Sequence, residues 1–284
     1  MKVELIPAQD GGGAPEAAAL QQSRPYALAA LAVGAKVERV VVHEGGTVLA
    51  QALVLRRRGV RLVLRGPVWA EGLTPTGKRR ALRRLARQGA AVLATPEAPL
   101  AGFGLVPLIT GRSCALWSLE PEPHDLRAAA GAKWRNRVVT AARQGVEIRP
   151  AGAAALELLV AAEAAQRVAR GYHALPAAFS LALPPEDLRL WHWHEGGGLH
   201  AAMCFVRHGA WATYHLGWAD ARARAAGVHG LMLWQAALAL RAEGVRMLDL
   251  GDVNTTHAPG LARFKLGTGA ALHRLGATCL VLPG

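Results

Sequence analysis

The densest set of chemistry-bearing residues lies between Leu248 and Gly269. Lys265 stands in Gly260-Leu261-Ala262-Arg263-Phe264-Lys265-Leu266-Gly267-Thr268-Gly269, a cation beside an aromatic residue with glycines on either side. Such a cation can stabilise a developing oxyanion or bind a phosphate. By itself the pattern equally describes a surface lysine next to an anchoring Phe264. Asp249 and Asp252 flank Gly251 just upstream. A carboxylate there can take a proton from an attacking amine, directly or through water. Asp249 also reads as a turn cap accepting backbone N–H bonds, which leaves Asp252 for substrate and Asn254 as an amide able to bind one.

Further polar groups lie upstream. Arg224-Ala225-Ala226-Gly227-Val228-His229-Gly230 precedes an apolar helical run that continues from Leu231. The N–H groups of such a loop and helix start can cradle phosphate, or the loop is an ordinary glycine-containing entry to a helix. Lys133, Arg135, Arg137 and Arg143 form a basic helix, with Lys133 and Arg137 four apart on one face. That face suits acceptor phosphates or a transfer-RNA backbone, and it also suits solvent. Arg79, Arg80, Arg83, Arg84 and Arg87 make a similar cluster that reads as a solvated face. Tyr172 follows Gly171 in a loop and is a candidate for lining an acceptor pocket. Trp191 and Trp193 alternate with His192 and His194, so the pairs occupy opposite faces of a strand. With no carboxylate or cysteine at ligand spacing, these histidines and His215 read as packing, and no metal site is expected. Motifs for a serine or cysteine nucleophile are absent, which leaves direct attack without a covalent enzyme intermediate.

The elements that must position these residues occur twice. Val37–His43, Thr47–Leu55 and Val60–Arg65 read as three antiparallel strands separated by glycine-bearing turns. A helix over Pro75–Gln88 and a strand over Ala90–Ala94 follow. The same order returns as strands Leu188–His194, Leu199–Val206 and Ala210–Leu216, a helix over Val228–Ala242 and a strand over Val245–Leu250. Gly59 pairs with Gly209, Gly66 with Gly217 and Gly89 with Gly244 at a nearly constant offset. Helices over Ala14–Ala32 and Ala153–Arg170 precede the two sets. The spacing predicts a mixed α/β chain of two tandem domains, residues 1–120 and 121–284, each a mostly antiparallel sheet flanked by helices.

Two segments resemble the Fem family of peptidoglycan aminoacyltransferases, which carry the GNAT acyltransferase fold. One is Lys133-Trp134-Arg135-Asn136-Arg137 running on to Gly145-Val146-Glu147-Ile148. The other runs from Leu233-Trp234 through Leu248-Asp249-Leu250-Gly251-Asp252 to Gly269. Asp252 stands where the family commonly has a second glycine, and Thr268 where an aromatic residue is usual. The resemblance implies two GNAT-like domains, with the fourth and fifth strands splayed so that an acyl donor enters between them. It implies a catalytic or donor-binding role for Lys265, with Asp252 beside it. The candidates then divide into donor contacts from Phe264 and, on a partial likeness to the phosphate loop of acetyl-CoA enzymes, Arg224, Gly227 and Gly230, and acceptor contacts from Lys133, Arg137, Tyr172 and Asn254. The donor-like loop and the Phe264-Lys265 ending occur only in the second half, so the chemistry is expected there, with a degenerate first domain helping to bind acceptor.

The bulk properties admit this reading. The 284 residues are 52% apolar, with a mean hydropathy of +0.18. There is no run of about 18 apolar residues and no signal-like N-terminus, so a cytoplasmic location without a transmembrane segment is expected. Cys114, Cys204 and Cys279 lie apart in apolar stretches and read as buried hydrophobes. The net charge of +13 suits polyanions such as nucleic acid, phosphate-bearing small molecules or a peripheral membrane contact, and it also follows from an Ala/Gly/Arg-rich composition. Three readings follow. One is aminoacyl transfer from aminoacyl-tRNA to an amine of a cell-wall precursor or other peptide-like acceptor. Another is N-acyl transfer from acyl-CoA or an acyl carrier. The third is noncatalytic binding of RNA or membrane surfaces. The donor is a cosubstrate in the first two, and no bound cofactor is expected.

Overall fold

The computed structural model describes residues 1–7 and 18–284. The chain divides into two compact units, Met1–Ser113 with His273–Gly284, and Cys114–Leu272. The division therefore differs from a cut at residue 120. A strand near the C-terminus belongs to the first unit, because its hydrogen-bonding partners lie there.

The first unit opens with β1 (Lys2–Pro7), α1 (Arg24–Ala32), β2 (Lys36–Glu44), β3 (Thr47–Arg57), β4 (Val60–Leu64), β5 (Val68–Trp69), α2 (Pro75–Leu85), β6 (Ala91–Thr95) and β7 (Leu105–Ile109). Part of the helix expected over Ala14–Ala32 lies outside the described residues. Within them α1 begins at Arg24, because Ser23 caps it and Pro25 sits in its first turn, where a missing N–H costs nothing. β1 was not anticipated; it pairs antiparallel with β2 along its whole length. Gly45 and Gly46 turn β2 into β3 with φ of 58° and 83°, the left-handed backbone that a tight hairpin requires. α2 starts behind Thr74, whose side chain accepts the Gly77 N–H, and buries Ala81, Leu82 and Leu85. The two leucines pack with Val40, Val54, Val63 and Val92, and Ala81 packs with Val42 and Ala50. β4 and β6 run parallel in register from Val60↔Ala91 to Leu64↔Thr95.

The second unit contains β8 (Ser113–Ser118), α3 (Pro123–Ala129), α4 (Ala132–Arg143), β9 (Arg149–Ala151), α5 (Ala153–Arg170), α6 (Ala177–Leu181), β10 (Leu188–Glu195), β11 (Gly198–His208), β12 (Trp211–Ala219), α7 (Ala221–Ala225), α8 (Val228–Ala242), β13 (Met247–Asp252) and α9 (Pro259–Leu266). The chain closes with β14 (Ala271–Arg274) and β15 (Thr278–Val281). Among the described residues the first sheet has the order β1-β2-β3-β4-β6-β15-β7 with β5 beside β3, and the second β14-β8-β13-β12-β11-β10-β9. The repeated order read from the sequence is present: β2, β3, β4, α2 and β6 correspond to β10, β11, β12, α8 and β13. Both sheets mix one parallel pair into antiparallel ladders. α8 is apolar almost all round, and its buried Met232, Leu233, Ala236, Ala237 and Leu240 lie in the second core.

Candidate functional site

β12 and β13 stay together only from Trp211↔Met247 to Thr213↔Asp249, then part. Both strands bend there for local reasons. The register of β12 on β11 slips between Phe205↔Tyr214 and Cys204↔Leu216, which leaves His215 as an extra residue. Such a bulge kinks its strand and raises the local twist. The register of β13 on β8 slips between Asp249 and Asp252. Gly251 lies within that slip at φ 76°, a conformation that residues with a Cβ adopt only under strain. Oδ1 of the fully buried Asp249 accepts the Gly251 N–H at 2.7 Å. The sequence alternative of a turn cap thus describes the geometry of Asp249, while Asp252 is exposed at the tip of the strand.

Lys265 fastens this open end. α9 begins at Pro259 and turns Ala262 and Lys265 inward. Lys265 is only 5% exposed, and its Nζ donates to the Asp252 carbonyl at 2.7 Å. Burial pulls its pKa below the ordinary lysine value, while the carboxylates of Asp252 and Asp249 pull it back up. A surface lysine would be mobile and solvated; this one is a positive charge fixed beside the split. Thr268 closes the helix behind it, donating to the Lys265 carbonyl at 2.7 Å and accepting from Ala270 N at 3.1 Å.

An aromatic cluster faces the same region. The Phe264 ring meets His229 edge to face at 5.6 Å, and His229 Nε2 lies 3.3 Å from the Tyr214 hydroxyl. Gly217 is needed here, because a Cβ at that position would overlap the Tyr214 hydroxyl. Burial raises the Tyr214 pKa. Burial, with Arg224 adding to it, pushes His229 down to about 4. The phenol is therefore protonated and the imidazole neutral at pH 7. Tyr214 was not among the sequence candidates, since nothing in a strand pattern marks one tyrosine as facing a gap. His229 lies in the glycine-containing loop before the helix, and its pairing depends on β12, which local sequence does not reveal.

The remaining candidates fall around this centre. Gly227 caps α8 at φ 71°, and a Cβ on it would meet the Arg137 carbonyl at 3.5 Å; one on Gly230 would meet Val138 at the same distance. The face presented by both glycines is therefore covered by α4. Gly227 N donates to Arg224 O and Gly230 N to Gly227 O, so two N–H groups of the loop are engaged internally. Arg224 is exposed and donates to the Ala219 carbonyl. On α4, Lys133 and Arg137 are exposed, whereas Arg135 turns back to the Ala128 and Ala130 carbonyls at 2.8 and 2.6 Å. Trp134 packs against Gly267 and forms a three-indole cluster with Trp117 and Trp234. The two segments carrying the sequence resemblance therefore touch each other.

Tyr172 donates to Oε1 of Glu163, a buried carboxylate on α5, at 2.9 Å. Asn254 is exposed, and its Oδ1 accepts from Thr256 N and His257 N at 3.0 and 2.8 Å, so the side chain shapes the β13–α9 loop. His215 Nε2 lies 2.9 Å from the Ser180 hydroxyl, and burial holds its pKa near 4. Among the described residues no group of three or more His, Cys, Asp or Glu side chains is arranged to hold a metal. A surface groove of about 550 Å³ lies between residues 144–147, Trp193–Glu195 and Arg222 with Ala225 and Ala226. It contains none of the expected site residues.

A sequence model described as "Acetyltransferase (GNAT) domain" matches residues 117–271. Among curated proteins none matches the chain. The crystal structure of FemX superposes with a TM-score of 0.77, covering 99% of this chain and 98% of its own at 14% identity. L-PGS from Bacillus licheniformis gives a TM-score of 0.54 at 12% identity, over 92% of this chain and 86% of its own. A tandem GNAT protein from the clavulanic acid biosynthesis pathway gives 0.51 at 16% identity, over 96% of each chain. At these identities the likeness is one of fold.

Proposed function

We propose, from the premise that this chain belongs to the acetyltransferase (GNAT) family, that it transfers an aminoacyl group from aminoacyl-tRNA to an amine of a cell-wall precursor or similar peptide-like acceptor. The observation that carries the choice of donor is the packing of α4 over Gly227 and Gly230. A pyrophosphate cradle needs free N–H groups at the helix start, and here two of the loop's N–H groups are bonded within the loop. The FemX-like fold supports the same reading.

In this reading the ester carbonyl enters the split between β12 and β13. The acceptor nitrogen attacks, the new C–N bond forms and the C–O bond to the transfer-RNA ribose breaks. Lys265 supplies a positive charge already desolvated and fixed, so little reorganisation is needed as the oxyanion develops. Asp252, exposed at the strand tip, takes the proton released by the amine, directly or through water, and returns it to the departing ribose oxygen, which leaves as a hydroxyl. Phe264 and Arg224 are assigned to the donor, and Gly227 and Gly230 to shaping the loop beside it. Lys133, Arg137, Tyr172 and Asn254 are assigned to the acceptor side.

A second reading, N-acyl transfer from acyl-CoA, is favoured by the description of the matching family model. Mass spectrometry of the purified protein with an amine acceptor and each donor class separates the two. Product formation that RNase abolishes is the expected result. Thioester consumption would replace the first reading by the second. Consumption of neither donor, with salt-dependent RNA binding that survives Lys265→Ala, would replace both by noncatalytic binding.

A further inference from the structure

One edge of the first unit is apolar and basic in a way that the transfer reaction does not use. β7 is the edge strand of the first sheet, paired on one side to β15. Leu105 is buried, but Leu108 and Ile109 are 56% and 55% exposed, and Val106 is exposed beside them. Phe103, in the loop leading into β7, is 81% exposed. Four large apolar side chains exposed within seven residues of a folded chain point to an interaction site.

The segments that build it carry charge of one sign. No Asp or Glu occurs between Glu97 and Glu120, or after Asp252 to residue 284, and these two stretches supply β7, its loop and β15. The Arg83 guanidinium lies over the Phe103 ring at 4.8 Å and donates to the Pro283 carbonyl at 3.1 Å. Arg79 donates to the Ala101 carbonyl at 3.2 Å. Among the described residues neither arginine meets an Asp or Glu side chain. Residues 1–113 and 273–284 together hold 17 Lys and Arg against 7 Asp and Glu, whereas residues 114–272 hold 16 against 13.

We infer that the Phe103–Ile109 edge docks this protein on an anionic lipid bilayer, with Phe103 and Leu108 entering the interface and Arg79 and Arg83 meeting the lipid phosphates. An aromatic and aliphatic tip ringed by arginine matches the two contributions that hold peripheral proteins on such surfaces, apolar burial and attraction to anionic headgroups. Strand addition by a second copy is disfavoured, because Pro107 interrupts the row of backbone donors that an edge partner needs.

The test is co-sedimentation of the full chain with phosphatidylglycerol–phosphatidylcholine vesicles and with phosphatidylcholine vesicles alone, alongside light scattering for oligomeric state. The expected result is binding to the anionic vesicles only, weakened by salt. A Phe103→Ser, Leu108→Ser variant with unchanged far-UV circular dichroism should bind at least about tenfold more weakly. Three results would each overturn the inference. The wild type does not sediment with anionic vesicles, or the variant sediments as well as the wild type. Alternatively, the wild type is a dimer that the variant converts to monomer without a change in vesicle binding, which would identify a second copy as the occupant.

Discussion

The parallel strand pairs β4/β6 and β12/β13 hold the same place in the two units and differ in how far they stay joined. β4 and β6 are in register over five successive positions, whereas β12 and β13 part after three although β12 is the longer strand. In the first unit the pair is sealed over a core of Val63, Leu82, Leu85 and Val92. In the second a bulge on one strand, Gly251 on the other and a buried lysine beneath them keep it open. One order of elements thus gives a joined strand pair in one unit and a parted pair in the other. The deciding residues are few and local.

The largest effect that would sharpen this contrast comes from Lys265→Met, which keeps the volume and removes the charge. Transfer should fall by about 10²–10³ in kcat/KM, the range seen when one oxyanion-stabilising group is lost. Retention of activity within a fewfold, in protein of unchanged circular dichroism, would remove Lys265 from the chemistry. In the closed unit, Leu82→Ala should cost about 3 kcal/mol of stability in urea unfolding with kcat unaltered. A large fall in kcat would break the division of labour between the two sheets.

Smaller effects test the open pair itself. His215 and His229 have pKa values of about 4 in the folded second unit, pushed down mainly by burial, against about 6.5 when unfolded. Between those pH values the unfolded chain binds more protons, so stability should fall by a few kcal/mol as pH drops from about 6.5 to 4. His229→Gln should remove about half of that slope in denaturant titrations, and an unchanged slope would mean that His229 titrates normally. Gly251→Ala places a Cβ on a left-handed backbone, 3.6 Å from Lys265 Nζ. It should cost roughly 1–2 kcal/mol and lower kcat. A variant as stable and active as the wild type would show that the positive φ is not what holds the strands apart.

Much of the architecture was legible because it rests on local signals. Paired glycines mark both hairpins at Gly45-Gly46 and Gly196-Gly197, and Ala153–Arg170 forms the helix its composition predicts. The strand expected over Val245–Leu250 is instead Met247–Asp252, because Val245 and Arg246 are taken up by contacts closing α8 onto the sheet. β1 and β15 were not anticipated. Their short apolar runs gain meaning only from partners far along the chain: Cys279 pairs with Ala94 and Pro107. Of the proposed site, the sequence offers Lys265, Phe264, Asp249 and Asp252 as a list of candidates. What the list lacked was the parting of two strands, the burial of the lysine and the Tyr214–His229 contact, all products of long-range packing.

β15 also has a consequence in time. It lies between β6 and β7 in the first sheet, yet it is made after the whole second unit. As the polypeptide emerges from the ribosome, the second unit can complete its ladders first, while the earlier-made unit waits with β6 and β7 unjoined. Native pairing across some 180 residues is slow to find. Until residues 278–281 arrive, the exposed flanks of β6 and β7 are the places where a nascent chain of this protein is most open to chaperone capture or misassembly.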